Sequence, residues 1–245
     1  MPRYCLTLEY DGTPYHGWQR QPDLPSVQTH LENAIEGFSG QRVDTQAAGR
    51  TDAGVHALGQ VVHFDLDRQW DAFRVGEALN FHLKPEPIIV VDAKEVSEEF
   101  EARFSATARH YTYKILNRRA RPTLDINRLW HVPAPLDEVA MHQAAQCLVG
   151  NHDFTTFRAA ECQAKSPVRT LDKIEVKRQG DMVFINLSAR SFLHHQVRSF
   201  AGSLRMVGDG KWQASDLKNA LEAKNRSWCG SMAPAAGLYL TRVDY

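Results

Sequence analysis

Ala48-Gly49-Arg50-Thr51-Asp52-Ala53-Gly54-Val55-His56-Ala57 is the stretch that says most about the fold and chemistry of this chain. It places a guanidinium and a carboxylate two residues apart in a loop, with glycines recurring every five residues at 49, 54 and 59. Such spacing is typical of a turn that requires a positive φ, or of backbone that something large approaches closely. A strand-like run follows at 60–66, so the sequence predicts a reactive loop fixed beside a strand, a common arrangement for an active site.

The local chemistry of this loop also fits a purely structural role. Aspartate is frequent in turns because its carboxylate accepts hydrogen bonds from nearby backbone N–H groups. An arginine beside it is often a surface ion pair that contributes about 0–1 kcal/mol. Taken alone, Arg50 and Asp52 therefore favour the structural interpretation, and the functional hypothesis depends on the rest of the chain.

Hydrophobic periodicity predicts mixed strands and helices in two similar halves. In the first half, strands are expected at 4–10, 43–48, 60–66 and 88–93, with helices after Ser26, the expected N-cap, and at about 70–82. In the second half, strands are expected at 109–117, 174–177, 182–189 and 238–243, with helices at 135–149, 193–207 and 215–223. This order predicts an α+β fold with a duplicated split βαβ unit. The boundary is expected near 95–106, giving an N-terminal half at 1–100 that carries the Asp52 loop and a C-terminal half at 101–245 that carries Tyr111 and Arg198.

Composition is ordinary for a globular protein, with 43% apolar and 24% charged residues in 245. The chain contains no apolar run of the roughly 20 residues that a membrane span requires. Its N-terminal sequence enters a strand-like pattern directly, so no signal peptide is expected. Four scattered cysteines without a Cys-x-x-Cys pair fit reduced thiols, and a cytoplasmic protein is predicted. His56 and His63 have no recognised ligand spacing, so no metal site is expected there.

The net charge is zero, from 29 basic and 29 acidic residues, which by itself argues weakly against a nucleic-acid partner. The distribution is polarised, however, because residues 102–124 and 182–208 contain basic side chains and no acidic ones. These basic residues are Arg103, Arg109, Lys114, Arg118, Arg119, Arg121, Arg190, Arg198 and Arg205. Such stretches can attract phosphate groups locally, or they can be ordinary solvated faces.

The glycine-rich loop is one of six blocks that together resemble a known family. The other five are Tyr10-Asp-Gly-Thr-Pro-Tyr-His-Gly-Trp-Gln19, Phe104-Ser-Ala-Thr-Ala-Arg-His-Tyr-Thr-Tyr113, Asp153-Phe-Thr-Thr-Phe-Arg158, His194-His-Gln-Val-Arg198 and Ala233-Pro-Ala-Ala-Gly-Leu-Tyr-Leu240. In this order they resemble the bacterial tRNA pseudouridine synthase A family. Six blocks in family order, from residue 10 to residue 240, make the resemblance highly specific.

The resemblance implies two ferredoxin-like (split βαβ) halves that share a central antiparallel sheet, with a cleft between them, assembled as a homodimer. It implies an RNA-binding isomerase of tRNA processing that converts uridines at tRNA positions 38, 39 and 40, in the anticodon arm, to pseudouridine. The reaction breaks the N1–C1′ glycosidic bond of uridine, turns the base and joins C1′ to C5. Because there is no net redox change and no external group, no cofactor is expected. Neither a membrane nor a different protein is implied as a partner.

Four residues carry the chemistry that the resemblance implies. Asp52 is the candidate nucleophile or electrostatic partner at the sugar, since carboxylates form covalent intermediates at glycosidic carbons and an unperturbed Asp pKa of about 3.9 keeps the group ionised at pH 7. Arg198 is implied to hold that carboxylate, and Tyr111 to stack on the uracil. Arg50 is implied to fill the space that a flipped uridine leaves in its stem.

Each of these residues also has a simpler interpretation. With His194 and Arg205, Arg198 is expected to share one face of a helix, which by itself fits a basic edge in solvent. Tyr111 and Tyr113 fit the core face of a strand equally well. Trp18 is expected to pack in the core, and Tyr10, Asp11 and Gln19 receive no chemical role. His110 stands where the family is expected to prefer Arg, so a phosphate contact there is in doubt.

Two rival functions remain at this stage. A non-catalytic RNA-binding module is one, because split βαβ units also bind RNA passively. Asp52 speaks against it, because a passive binder has no use for a carboxylate facing phosphates. A glycosidase acting on small nucleosides is the other, and the acid-free basic stretches speak against it because they suit a polyanion.

Overall fold

The computed structural model describes residues 1–245, which form two units. The first unit contains residues 1–107 and 239–245, and the second contains residues 108–238. The strands are β1 (Arg3–Tyr10), β2 (Gln46–Ala47), β3 (His56–Asp65), β4 (Ile88–Val96), β5 (Ala108–Leu116), β6 (Trp130–His131), β7 (Gly150–Asp153), β8 (Val168–Gln179), β9 (Met182–Ala189) and β10 (Leu238–Asp244). The α-helices are α1 (Val27–Ser39), α2 (Ala72–His82), α3 (Glu138–Ala145), α4 (Gln196–Gly208) and α5 (Ala214–Ala223).

The first unit is built on the strand order β4-β1-β3-β10, with β2 paired to β3. Strand β1 is antiparallel to both β3 and β4, whereas β10 runs parallel to β3. Alternate residues of β1 are fully buried, and Tyr4 and Leu6 lie opposite Phe64 and Val62 of β3. This period of two places one face of the sheet in the core. The Ser26 hydroxyl accepts a hydrogen bond from Thr29 N at 3.2 Å, which confirms the predicted N-cap of α1.

The second unit has the strand order β5-β9-β8-β7, all antiparallel, with β6 parallel to β5. Tyr113 and Ile115 of β5 are fully buried, as are Ile185 of β9 and Phe200 of α4. The mixed α+β class with a mostly antiparallel sheet is therefore confirmed. The cleft between the halves stays a prediction.

Several predicted boundaries of strands and helices differ from those in the structure. The strand expected at 43–48 is reduced to Gln46–Ala47. The helix expected at 135–149 begins after its N-cap Asp137 and tightens into a 3₁₀ turn at Gln146–Leu148. The strand expected at 174–177 extends over Val168–Gln179.

The C-terminal strand belongs by its contacts to the first unit, whereas the sequence prediction placed it in a C-terminal half at 101–245. Tyr239 and Leu240 pair with His56 and Ala57 of β3, and Thr107 N donates to Asp244 O at 2.8 Å. The pattern of adjacent segments does not reveal that the C-terminal strand returns to the first unit, because its pairing with β3 joins residues far apart in sequence. Among the helices of the chain, none has the length and apolar content needed to cross a membrane.

Candidate active site

The loop that carries Asp52 is held by backbone hydrogen bonds to the segment that follows β1. Trp18 N donates to Thr51 O at 3.0 Å, and Gly54 N donates to Tyr15 O at 3.3 Å. Within the loop, Val55 N donates to Asp52 O at 3.1 Å and closes a tight turn. The peptide groups on both sides of Asp52 are therefore fixed without using a charged side chain.

Glycines allow this close approach of the two segments. A Cβ atom at Gly12 would overlap the carbonyl oxygen of Val55, and one at Gly17 would lie 2.6 Å from Thr51 O. Gly17 and Gly54 also have positive φ values of 94° and 76°, a conformation that other residues adopt at a cost. Gly59 instead allows another segment to approach closely, as its position in the sequence predicted: a Cβ there would lie 2.6 Å from Thr241 O of β10.

Tyr10 supports the loop through a hydrogen bond between two uncharged side chains. Its hydroxyl lies 2.8 Å from Thr51 Oγ1 in a fully buried position. Burial raises the pKa of the Tyr10 phenol to about 12, so the group stays protonated at neutral pH. Trp18 is buried beside it, with ring centroids 6.3 Å apart, which confirms the prediction that Trp18 packs in the core.

The N-terminal arm of the loop is tied to β3. Ala48 N donates to Val61 O at 2.8 Å, and the buried Gln60 side chain donates through Nε2 to Gly49 O at 2.6 Å. The chain then turns outward, so that Arg50 is exposed and Asp52 is half-buried. This arrangement presents a guanidinium and a carboxylate from one rigid loop.

Gln28 and Glu32, one turn apart on α1, form a clamp on the segments that flank the loop. Glu32 Oε1 accepts hydrogen bonds from Thr45 N at 2.9 Å, Thr45 Oγ1 at 3.0 Å and Gln28 Nε2 at 2.9 Å. Its second oxygen pairs with Arg20 at 2.8 Å. Gln28 Oε1 also accepts a hydrogen bond from Arg20 N at 3.0 Å, and Gln28 N donates to Trp18 O at 3.0 Å. The clamp therefore connects residues 18–20 with Thr45.

In the second unit, Tyr111 and Tyr113 differ in burial. Tyr113 is fully buried and its hydroxyl donates to Pro234 O at 2.7 Å, which makes it a core residue. Burial raises the pKa of Tyr113, and the Arg198 cation opposes that rise only in part. Tyr111 is half-buried, and its ring meets Phe192 edge-on at 5.1 Å. A tyrosine ring with one fixed edge and partial exposure can receive a planar ligand.

Arg198 is fixed in the first turn of α4 by the chain that precedes β10. Its Nε donates to Ala233 O at 2.9 Å, and Ala233 N donates back to Arg198 O at 3.1 Å. Gly202, one turn further along, touches the Ser231 carbonyl so closely that a Cβ has no room. The plane of the Arg198 guanidinium is thus set by backbone atoms.

One sequence prediction about α4 is wrong. His194 was expected on a common helical face with Arg198 and Arg205, but α4 begins only at Gln196. His195 has φ 63°, a left-handed conformation that interrupts the helix at that point. Arg205 is on the helix, and it pairs with Asp209 at 3.1 Å instead of facing solvent alone.

The two acid-free stretches contribute fewer exposed charges than their sequence indicates. Arg109 is buried and donates to Arg190 O at 2.5 Å, and burial lowers the pKa of Lys114. Arg118 lies 3.5 Å from Asp181. Arg119 and Arg121 are exposed in the loop after β5, and Arg103 is exposed before that strand.

The structure places Arg50 and Asp52 together in the first unit, and Tyr111 and Arg198 in the second. Sequence reasoning gave residues 10–19 no chemical role, whereas the structure shows that Tyr10, Gly12, Gly17 and Trp18 form the support of the Asp52 loop. The glycines in this block were the available signal. His56 and His63 accept backbone N–H groups of Gly12 and Ala102, each at 3.1 Å, as structural histidines do.

Both units are α+β scaffolds, and comparison with known proteins shows the family to which the chain belongs. The family model described as tRNA pseudouridine synthase matches residues 7–105 and 144–245, and the chain belongs to this family of tRNA-modifying isomerases. A relative named tRNA pseudouridine synthase A from Bartonella quintana (strain Toulouse) is 58% identical over 247 residues, covering 100% of both chains. A protein of the same name from Xanthobacter autotrophicus (strain ATCC BAA-1158 / Py2) is 58% identical over 245 residues, again covering 100% of both.

The clamp generates a prediction about stability. Glu32→Ala leaves Thr45 N and Oγ1 without their acceptor, so the free energy of unfolding should fall by about 1–3 kcal/mol. Glu36→Ala is the matched control on the same helix, because Glu36 makes only an exposed ion pair with Arg42 at 2.9 Å and its loss should change little. Denaturant unfolding of both variants is the measurement. Equal stability of the two variants would show that the clamp does not hold the loop segments.

Proposed function

We propose that this protein isomerises uridines 38, 39 and 40 of the tRNA anticodon arm to pseudouridine, with Asp52 acting directly on the uridine. The observation that carries the proposal is a half-buried carboxylate presented by a loop whose backbone is fixed on both sides. Such a loop keeps the backbone that carries the carboxylate in place. Membership of the tRNA pseudouridine synthase family supports the substrate class and the reaction.

The chemistry needs only rearranged bonds. Asp52 forms a bond to the uridine at C1′ or at C6, and the N1–C1′ bond breaks. The uracil turns, C5 bonds to C1′, and the bond to Asp52 breaks, which returns the free carboxylate. The proton on C5 then leaves, and N1 gains one, so atoms and electrons balance without an external reactant. A carboxylate is suited to the attack because it is ionised at neutral pH and forms esters with glycosidic carbons.

Arg198 is the proposed cation that keeps Asp52 ionised and oriented. A nearby opposite charge favours the charged form of a carboxylate, which offsets the cost of partial burial. The bond from Arg198 Nε to Ala233 O supports this role, because it fixes the guanidinium plane before substrate binds.

Tyr111 is the proposed platform for the detached uracil. Stacking holds a planar base without hydrogen bonds, so the base can still turn about the stacking axis, and it contributes about 1–3 kcal/mol per base. The edge-on contact with Phe192 supports the role because it fixes the tyrosine ring.

Arg50 is the proposed side chain that replaces the uridine in its stem. A paired uridine must leave the stack before its sugar can be reached, at a cost of a few kcal/mol. A planar guanidinium fills the vacated space and contacts phosphate. Exposure of Arg50 on the same loop as Asp52 supports this role.

We further propose that the protein acts in the cytoplasm as a homodimer. Its four cysteines are unpaired thiols, which fits a reducing compartment. Two features of the structure speak against the two rival functions. A passive RNA-binding module does not need the rigid Asp52 loop, and a small-nucleoside glycosidase does not need exposed Arg119 and Arg121.

Asp52→Asn tests the proposed nucleophile. The amide removes the negative charge at almost constant volume, so we expect no detectable pseudouridine and near-normal tRNA affinity. Nucleoside analysis of treated tRNA and a binding titration are the measurements. Asp67→Asn, an exposed aspartate of the same unit, is the control and should retain full activity. Substantial turnover by the Asp52 variant would exclude the assignment.

Arg50→Ala tests access to the base. The rate should fall by about 10- to 100-fold on a uridine paired in the stem and much less on an unpaired loop uridine, since only the first must be extracted from a stack. Single-turnover rates on two otherwise identical tRNAs measure the difference. Equal losses on both substrates would instead assign Arg50 to the chemistry at Asp52.

The combined charge removal at Arg118, Arg119 and Arg121 tests the path of the RNA. Each phosphate contact contributes about −0.9 to the slope of log affinity against log salt, taking duplex DNA as the guide. The triple variant should bind tRNA more weakly and with a flatter slope, while turnover at saturating tRNA stays close to wild type. Of the three single substitutions, Arg118→Ala should weaken tRNA binding least, because Arg118 already forms an ion pair with Asp181. Identical salt slopes for the wild type and the triple variant would show that the loop is only a solvated surface.

A further inference from the structure

A third acid-free stretch lies near the C-terminus, and its basic residues have no role in the site described above. Residues 223–243, between Glu222 and Asp244, contain Lys224, Arg226 and Arg242 and no acidic side chain. Its first part leads from α5 to Ala233, the residue that fixes Arg198. This segment therefore lies beside the proposed catalytic arginine.

Inward contacts hold residues 226–233 along α4. One guanidinium nitrogen of Arg226 donates to Ser199 Oγ at 3.0 Å and to Thr156 O at 3.2 Å. Gly230 N donates to Ser203 Oγ at 3.1 Å. Together with the bond between Ala233 and Arg198, these contacts follow the helix for more than one turn, so the segment is ordered.

Trp228 points outward from this ordered segment. It ends the short 3₁₀ turn Arg226–Trp228, which begins where the Asn225 side chain accepts Ser227 N at 3.0 Å, and its own N donates to Asn225 O at 3.1 Å. The indole is nevertheless 56% exposed. An exposed indole on a segment whose backbone is fixed presents a flat aromatic face to a ligand.

We propose that Trp228 is a stacking contact for an unpaired nucleobase of the tRNA substrate, next to the site that holds Arg198. The inference rests on the proposed function and adds a residue that recognises the substrate. Charge favours a polyanion over an apolar protein surface, because the segment 223–243 carries three basic side chains and no carboxylate, and Lys224 is exposed. An unpaired loop nucleotide is the matching partner, since only an unstacked base offers its face.

Binding affinity and tryptophan fluorescence test the proposal. Trp228→Ala should raise the Kd for tRNA by about 5- to 150-fold, with an unchanged salt slope because stacking involves no counterions. Trp228→Phe should recover most of the affinity, since it keeps a π-face. Phe73→Ala, which removes a 74% exposed aromatic ring from the first unit, is the matched control and should bind like wild type.

Addition of tRNA should quench the fluorescence of the wild-type protein, and Trp228→Phe should lose most of that quench. A Kd for Trp228→Ala that equals the value for Phe73→Ala would overturn the proposal. Quenching that depends on protein concentration without RNA, and that Trp228→Phe abolishes, would also overturn it, because it would assign Trp228 to a contact between two copies of the chain. Pseudouridine formation by the wild type is scored separately, so its failure would reject the proposed function and leave the stacking result readable.

Discussion

The backbone hydrogen bonds from the segment after β1 to the Asp52 loop are the constraint on which the proposed site depends. A side-chain cation does not fix the backbone of a loop that presents a reactive carboxylate, even where one orients the carboxylate itself, as proposed for Arg198. The chain instead uses peptide groups of Tyr15 and Trp18 and the neutral hydroxyl of Tyr10. Glycines at 12 and 17 allow the two backbones to touch. The side chain is thereby positioned before substrate arrives, which is what effective catalysis requires.

The second unit follows the same principle with different elements. Arg198 is fixed by both backbone atoms of Ala233, and Gly202 allows that segment to lie against α4. The charged groups proposed to act on substrate are therefore carried by segments that main-chain contacts fix, while ordinary ion pairs such as Arg205 with Asp209 lie elsewhere. Small residues near both groups consequently matter for function although they carry no chemistry.

Much of the fold follows from local signals in the sequence. The N-cap at Ser26 and the burial of Trp18 were predictable, because side-chain capping and apolar periodicity act over a few residues. The start of α4 was not predictable, since the apolar pattern continues through Leu193 while the backbone at His195 turns left-handed. Buried Glu32 was also missed, because its partner Thr45 is distant in sequence and glutamate on a helix usually faces solvent. Of the candidate site, Asp52 and Arg50 came from the family resemblance, whereas the support from residues 10–18 required the structure.

Release of the C5 hydrogen tests the central claim most directly. Transfer RNA labelled with tritium at C5 of uridine is incubated with the purified wild-type protein, with no cofactor added, and the tritium released to water is counted. The account predicts release that matches the number of uridines at positions 38, 39 and 40, and none from a tRNA that lacks uridine at all three. Absence of release from a tRNA with all three uridines, under conditions where the protein binds it, would contradict the account.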